Sequence, residues 1–170
     1  NLKDDKLIDF FFFYGLEITI RRIKEDLCDL GIVFDRFQYE SDLINSGLSQ
    51  KVIEDLKEKN ALVDREGALW FCSKEYSDLS DRESVLVRSD NEKSLTYFAS
   101  DIAYHKDKFD RKFDRLIDVW GANHHGHIER LKASLKSLGY DSDKLDIILY
   151  QNVRLKKDGE IKQMGKRLGN

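Results

Sequence analysis

Apolar residues recur at helical spacing in the first part of the chain. The segment LEITIRRIKEDLCDLG carries them at steps of three and four, at Leu16, Ile20, Ile23, Leu27 and Leu30. This spacing places them on one face of a helix. We therefore predict a long helix over residues 5–31, ended by Gly31 as a C-terminal cap.

The segments that follow predict shorter elements. IVFDRFQY alternates apolar and polar residues, as a half-buried strand does. Ser41 opens a short helix, and Ser49 is expected to cap the next one, QKVIEDLKEKN. ALVDREGALWFC predicts a hairpin, because two apolar runs flank the segment DREG and Gly67 suits a tight turn.

The second part of the chain alternates predicted strands and helices. ESVLVRS, KFDRLIDVWG and KLDIILYQNVRL are predicted strands, and we expect the first two to be buried. A helix is predicted over residues 97–113, and HIERLKASLKSLG predicts another with one apolar face, made of Ile128, Leu131, Leu135 and Leu138. A hairpin through Asp158–Gly159 follows the last strand. The order strand, helix, strand, helix, strand predicts an α/β fold with a parallel, doubly wound sheet.

Three of the four histidines lie in DVWGANHHGH, residues 118–127, at a predicted strand-to-helix turn. In doubly wound sheets ligands bind at such turns, beyond the carboxyl ends of the strands. A zinc site is one interpretation, but His124 and His127 would need two further ligands. A surface helix cap without function is the second. A ligand-binding turn is the third, because Gly121 lets a ligand approach the backbone and the helix-start N–H groups suit phosphate or ribose oxygens.

Tyr97 and Asp101 are four residues apart in a predicted helix and share one of its faces. Asp101 is either a helix-start carboxylate stabilised by the helix dipole or part of a pocket for a cationic ligand. The segment RLKKDGEIKQMGKR also leaves two interpretations open. Its six basic residues, against two acidic ones, form either a solvated hairpin or a mobile loop whose lysine reaches phosphates.

Composition and charge limit the classes of protein to which this chain can belong. The chain has 170 residues, of which 41% are hydrophobic, enough for a core. A net charge of −3 argues against a generic polyanion-binding protein. Cys28 and Cys72 form no disulfide framework, so a reducing, cytoplasmic location is expected. The apolar run LIDFFFFYGLEITI is interrupted by Asp9 and Glu17, so no membrane span is expected.

Several segments together resemble the class I arginyl-tRNA synthetases. TYFASDIAYHKDKF, VWGANHHGHIERLKASL and MGKRLGN stand in the order and spacing of that family, and YGLEITIRRIKEDLCDLGIVFDRFQYES upstream is similar to it as well. Two positions depart from the family pattern. Gly165 stands where the lysine signature loop usually has serine, and Asn123 stands where the turn before the histidines commonly has aspartate.

The resemblance implies an enzyme that activates L-arginine with ATP, accompanied by Mg²⁺, to arginyl-adenylate and then charges tRNA(Arg). It implies arginine binding by Tyr97, Asp101, Asn123 and His124. It implies ATP binding by Gly121, His124, His127, Met164 and Lys166. Lys166 is the expected catalytic residue, stabilising charge on the phosphates. No structural zinc is expected, and the full-length enzyme is expected to be a cytoplasmic monomer.

The resemblance also implies that the chain is an internal piece of a catalytic region. Residues 1–80 are expected to hold an inserted α+β connective segment. Residues 81–170 are expected to form the second half of a Rossmann-like nucleotide-binding fold, ending in the lysine loop. An earlier His-x-Gly-His motif that grips ATP is missing, so we expect the isolated chain to be inactive. The alternatives are a class I synthetase for another amino acid and a non-catalytic nucleotide- or RNA-binding module with this fold.

Overall fold

A long helix, α1 (Leu2–Asp29), occupies most of the first of two compact units, residues 1–39 and 40–170. The computed structural model describes residues 2–78, 84–151, 154–157 and 159–162. The predicted cap of α1 is confirmed. Gly31 has a φ of 73°, and the N–H groups of Gly31 and Ile32 donate to the last carbonyls of the helix. The strand predicted for residues 32–39 is wrong, because these residues pair with no other strand of the described chain.

Two helices open the second unit, α2 (Glu40–Asn45) and α3 (Leu48–Glu58). The helix at Ser41 is therefore confirmed. The expected capping role of Ser49 is wrong, because α3 begins one residue earlier, after Gly47 with a φ of 75°. Ser49 instead lies buried in the first turn of α3, on the helix face that buries Val52 and Leu56.

A small antiparallel sheet follows, with strand order β1 (Leu62–Arg65), β2 (Ala68–Phe71) and β3 (Val85–Val87). The first two strands are the predicted hairpin. We expected β3 to join the parallel sheet, and this is wrong. β3 pairs antiparallel with β2, with Val85 opposite Trp70 and Val87 opposite Leu69. An apolar strand of three residues fits either kind of sheet, so its sequence does not select the partner.

The predicted parallel strand–helix–strand unit is present. It consists of β4 (Leu116–Gly121), α5 (His127–Ser137) and β5 (Leu145–Tyr150), and it is preceded by α4 (Tyr97–Asp110). β4 and β5 pair in parallel from Leu116↔Leu145 to Gly121↔Tyr150. The final hairpin is confirmed as β6 (Leu155–Lys157) and β7 (Glu160–Lys162).

Strand β4 is buried on one face only, which corrects the expectation of a buried strand. Leu116 and Asp118 point into the core, whereas Ile117 and Val119 are exposed, Val119 to 63%. Ile148 and Tyr150 of β5 lie on the same exposed face, because they pair with Val119 and Gly121. The two-stranded sheet therefore packs on the helices with one face and presents apolar side chains on the other.

Helix α4 occupies a central place in the second unit. It contacts α2, α3, α5 and β3. The core around it contains Leu86, Ile102, Leu131 and Leu145, which are all fully buried. Because α4 is packed by several elements, the residues on its exposed face, Tyr97 and Asp101 among them, have a fixed support.

The division after Tyr39 separates compact units and does not test the functional boundary expected near residue 80, which stays a prediction. No helix in the described part of the chain combines the length and apolar character needed to cross a membrane.

Candidate functional site

An open cleft of about 1160 Å³ lies in the second unit, between the antiparallel sheet and helix α4. Arg65 and Trp70 line its sheet side, and Arg88 lies just beyond β3. Tyr97 and Asp101 of α4, together with His127 at the start of α5, line the other side. The Tyr97–Asp101 pair and His127, which the sequence singled out separately, thus share one cleft.

Tyr97 and Asp101 stand one helical turn apart at the start of α4, as their spacing predicts. The Tyr97 side chain is 74% exposed, so its ring and hydroxyl are available to a ligand. A phenol and a carboxylate on one helix face suit a flat cationic group, which the carboxylate pairs with and the ring covers.

The surroundings of Asp101 disfavour the ionised form of its carboxyl group. Burial by the surrounding protein raises the pKa of its carboxyl, while His105, His124 and Arg130 act in the opposite direction and Glu40 adds to the rise. Its surface is nevertheless open to the cleft. A cation bound beside this carboxyl favours its ionised form and so acts against the rise in its pKa.

The histidine turn, residues 121–127, joins the end of β4 to the start of α5. Ala122–His124 form a 3₁₀ turn, and His127 is the first residue of α5. The His124 ring lies 5.3 Å from the His127 ring and 6.3 Å from the Trp120 ring, measured between centroids. Asn123 is exposed on this turn. His124 and Asn123 thus lie beside the cleft but are not among the residues that line it.

Gly121 pairs with Tyr150 at the end of the parallel sheet. Its φ of −64° is open to any L residue. A Cβ at this position would touch only the phenol group of Tyr150, with the hydroxyl oxygen at 3.9 Å and Cζ at 4.0 Å. The local fold therefore does not require a glycine here, and the role of Gly121 in ligand binding stays a prediction.

Arg130 supports the turn from inside the protein. Its side chain is only 1% exposed, its guanidinium lies over the Phe98 ring at 5.3 Å, and its Nη1 donates to the Gly126 carbonyl at 3.3 Å. Its Nη2 donates to Nδ1 of His127. A guanidinium only donates, so Nδ1 of His127 accepts and Nε2 carries the ring proton. His127 is therefore held as a hydrogen-bond donor at the wall of the cleft.

A buried charge cluster behind the cleft was missed by the sequence analysis. Nε2 of His105 lies 2.6 Å from Oδ2 of Asp118, and Nζ of Lys108 donates to Oδ1 of the same carboxylate at 2.6 Å. His105 is 3% exposed and Asp118 is 8% exposed. Two signals in the sequence point to this cluster. His105 follows Asp101 by one helical turn, and Asp118 is the one charged residue inside the apolar strand LIDVW.

The two cations determine the charge state of Asp118. Burial alone raises the pKa of a carboxyl, but the hydrogen bonds and charges of His105 and Lys108 outweigh it and lower the pKa of Asp118 to about 2. Asp118 is thus ionised at neutral pH, between two cationic partners.

The structure therefore places Tyr97, Asp101 and His127 in the cleft, and Gly121, Asn123 and His124 on the adjoining turn. Met164 and Lys166, the predicted lysine-loop residues, lie outside the described residues. Within the described part of the chain, no group of three histidine, cysteine or acidic side chains is arranged to hold a metal ion.

Comparison with known proteins places this chain in a family. Residues 16–170 match the family described as tRNA synthetases class I (R), catalytic domain. An arginine–tRNA ligase of Desulforamulus reducens is 45% identical over 156 residues, which are 92% of this chain and 27% of that protein. An arginine–tRNA ligase of Bacillus subtilis is 41% identical over 169 residues, 99% of this chain and 30% of that protein. The chain thus spans less than a third of these two relatives.

Solved structures show the same fold. A provisionally assigned arginyl-tRNA synthetase from Campylobacter jejuni superposes with a TM-score of 0.76 at 37% identity, covering 90% of this chain and 33% of that one. Thermus thermophilus arginyl-tRNA synthetase superposes with a TM-score of 0.54 at 21% identity, covering 66% of this chain and 25% of that one, and shows the fold alone. With its parallel unit, its cleft and a match over residues 16–170, the chain belongs to the family of class I tRNA synthetase (R) catalytic domains.

Proposed function

We propose that the protein containing this chain is an arginine–tRNA ligase. The observation that carries the proposal is the Tyr97–Asp101 pair, whose carboxylate is exposed to the same cleft that His127 lines. Arginine fits this pair best among the amino acids, because its guanidinium is always charged, is planar and binds a carboxylate with two hydrogen bonds. The names of the curated relatives support the same choice.

The histidine turn supplies the second substrate site in this proposal. Gly121, His124 and His127 take the nucleotide of ATP, which enters as its Mg²⁺ complex, while Asn123 and His124 also face the amino acid. The Nε2–H of His127 is a suitable donor to a ribose or phosphate oxygen. Met164 and Lys166 complete the ATP site, with Lys166 stabilising phosphate charge during the reaction.

The proposed reaction has two steps. The carboxylate of arginine attacks the α-phosphorus of ATP, forming arginyl-adenylate as pyrophosphate leaves. A hydroxyl at the 3′ end of tRNA(Arg) then attacks the activated carbonyl, forming the ester as AMP leaves. Neither step needs a covalent enzyme intermediate, so positioning and electrostatic stabilisation by the cleft are the means of catalysis.

We also propose the division of the chain that the resemblance implies, with residues 1–80 as a connective segment and residues 81–170 as part of the nucleotide-binding fold. A cytoplasmic, monomeric enzyme is part of the same proposal. The exposed apolar face of β4 and β5 supports the view that further parts of the protein complete the fold.

Pyrophosphate exchange by the full-length protein tests this function. We expect exchange of labelled pyrophosphate into ATP that depends on L-arginine and is measured in the presence of tRNA(Arg), with lysine, ornithine and citrulline inactive. Charging of tRNA(Arg) with labelled arginine is the second readout. Exchange driven by a different amino acid, or none with any amino acid, would contradict the proposal. The chain of residues 1–170 alone is expected to be inactive in both assays.

The Gly121→Ala variant tests whether ATP contacts this residue, because the substitution should affect ATP binding without affecting the stability of the fold. A Cβ here meets only the Tyr150 phenol group at ordinary contact distance, so the melting temperature should change by less than about 3 °C. If ATP lies against this backbone, the extra methyl group should raise the KM for ATP by about tenfold, or 1.4 kcal/mol, with little change in the KM for arginine. Gly139→Ala is the control, because Gly139 lies away from the cleft and has a φ of 93°, which favours glycine. It should lower stability and leave both KM values unchanged.

A further inference from the structure

His105 connects the two elements that carry the candidate site. It lies on α4, one turn after Asp101 and two turns after Tyr97. Its Nδ1 lies 2.7 Å from the backbone carbonyl of Asp101, and its Nε2 lies 2.6 Å from the carboxylate of Asp118 on β4. One buried ring thus contacts both the helix of the Tyr97–Asp101 pair and the strand that leads into the histidine turn.

The hydrogen bonds of His105 determine its protonation. A backbone carbonyl oxygen only accepts, and so does an ionised carboxylate. Both ring nitrogens of His105 face such acceptors, so both donate and the ring is an imidazolium in this arrangement. Charge-assisted hydrogen bonds of this kind are shorter and stronger than neutral ones. The two hydrogen bonds therefore fix both the distance and the orientation of α4 relative to β4.

Strand β4 also connects His105 to the histidine turn through Trp120. Asp118 and Trp120 lie on the same face of β4. The Trp120 ring packs against His105 at 6.2 Å and against His124 at 6.3 Å, between centroids. His124 in turn packs against His127. A continuous row of contacts therefore runs from His105 to the turn that borders the cleft.

We propose that His105 is a positioning residue, which fixes helix α4 against strand β4 so that the Tyr97–Asp101 pair and the histidine turn keep one spacing. The inference rests on the proposed function, in which these two parts hold arginine and ATP. Each part binds its own substrate, and the spacing between the parts sets how the carboxylate of arginine meets the α-phosphorus. A change in this spacing costs rate more than affinity, because the reacting groups lose alignment while the individual contacts survive.

Two substitutions of His105 separate its two hydrogen bonds. In His105→Gln the side-chain amide reaches the place of Nε2 and keeps the bond to Asp118. In His105→Asn the amide reaches only the place of Nδ1, so it keeps the bond to Asp101 and loses the bond to Asp118. We expect His105→Asn to lower kcat of arginine-dependent exchange by about 10- to 100-fold, with the KM for arginine and the KM for ATP within about threefold of wild type. His105→Gln should recover most of kcat.

Tyr140→Phe is the matched control. Tyr140 accepts from Lys106 at 3.0 Å and donates to Asp110 at 2.7 Å, so it also fixes α4 to a neighbouring segment, away from the cleft. A merely structural role for His105 predicts that His105→Asn and Tyr140→Phe behave alike, with lower melting temperatures and unchanged kcat for the folded protein. That result would overturn the proposal.

Measurements on the wild type and on one further variant distinguish a failure of the proposed function from a failure of the positioning proposal. If wild-type protein shows no arginine-dependent exchange, the proposed function fails. If wild type is active and His105→Asn retains its kcat, the positioning proposal fails alone. Should His105→Asn not fold, Asp118→Asn tests the same contact, because it keeps the shape of the side chain and leaves one acceptor for two donors. A kcat unchanged in Asp118→Asn would then overturn the proposal.

Discussion

Replacing Asp101 by Asn in the full-length protein should lower kcat/KM for arginine by about 10³-fold, or 4 kcal/mol, while the KM for ATP stays within about threefold of wild type. The size of the loss follows from the position of the carboxylate. Asp101 opens into the cleft, and an amide in its place cannot pair with a guanidinium, so the cation of the substrate is left without a counter-charge. Steady-state exchange kinetics with either substrate varied are the measurement.

Asp110→Asn is the control for this prediction. Asp110 lies on the same helix and pairs with Lys106 and Tyr140, away from the cleft. Its replacement should leave kcat/KM for arginine unchanged within about twofold, because Asp110 does not line the cleft. An Asp101→Asn enzyme with normal arginine selectivity would disprove the cation-pocket assignment.

The pH dependence of arginine binding gives a second readout of Asp101. Burial raises the pKa of this carboxyl above its ordinary value, and only the ionised form pairs with a guanidinium. As the pH falls, kcat/KM for arginine should therefore begin to drop at a higher pH than an aspartate with an ordinary pKa would give. The raised pKa also means that the ionised form of Asp101 destabilises the free protein above the unfolded-state pKa, a cost that bound arginine relieves.

Replacing Asp118 by Ala should destabilise the protein by about 3–5 kcal/mol, the largest effect on stability that we predict. The substitution leaves His105 and Lys108 buried without their shared counter-charge, and a buried unpaired cation is costly. We expect a lower melting temperature and faster hydrogen exchange in peptides that cover α4 and β4.

Asp146→Ala is the matched comparison. Asp146 lies on the neighbouring strand β5 and pairs with Arg115, whose side chain is 68% exposed, while that of Asp146 is 42% exposed. A loss of less than about 1 kcal/mol is expected there, because solvent screens an exposed pair. If Asp118→Ala costs no more than Asp146→Ala, the buried cluster does not stabilise the fold in the way we describe.

Acid should reproduce part of the Asp118→Ala effect in the wild-type protein. The pKa of Asp118 is about 2, below the ordinary 3.8, so the folded state binds this proton more weakly than the unfolded state does. The resulting stability is fully present above pH 4 to 5 and is lost as the pH falls through about 2. It amounts to about 2 kcal/mol. Denaturant unfolding of wild type and of Asp118→Asn at several acidic pH values should show the two converging.

The elements that the sequence predicted correctly are those with long periodic patterns. The helices around Leu16 and Leu131 and the parallel unit β4–α5–β5 have enough apolar repeats to define both their type and their order. The partner of β3 was wrong because three apolar residues carry no signal for parallel or antiparallel pairing. Ser49 was wrong because Gly47, two residues earlier, supplies the left-handed backbone that precedes α3.

Part of the site was predictable because residues within one helix are brought together by their spacing in the sequence. Tyr97 and Asp101 are four residues apart in one helix, so local spacing alone brings them together. The cluster of His105, Lys108 and Asp118 joins a helix to a strand, and such a contact depends on how the two pack. No local pattern encodes that distance. In the structure Asp118 lies on the core face of β4, where a charge requires a partner.

The topology of the second unit also orders its assembly in time. The β1–β2 hairpin closes through a two-residue turn, a contact that forms on the microsecond scale, and β3 follows it within the same sheet. The β4–β5 pair must wait until helix α5 and all of β5 have been made, because its strands are parallel and joined by a crossover. The sheet wall of the cleft is therefore an early product of synthesis, and the histidine turn takes its final place late. Slow translation or chaperone binding after Gly121 should then favour correct folding more than the same delay before β1.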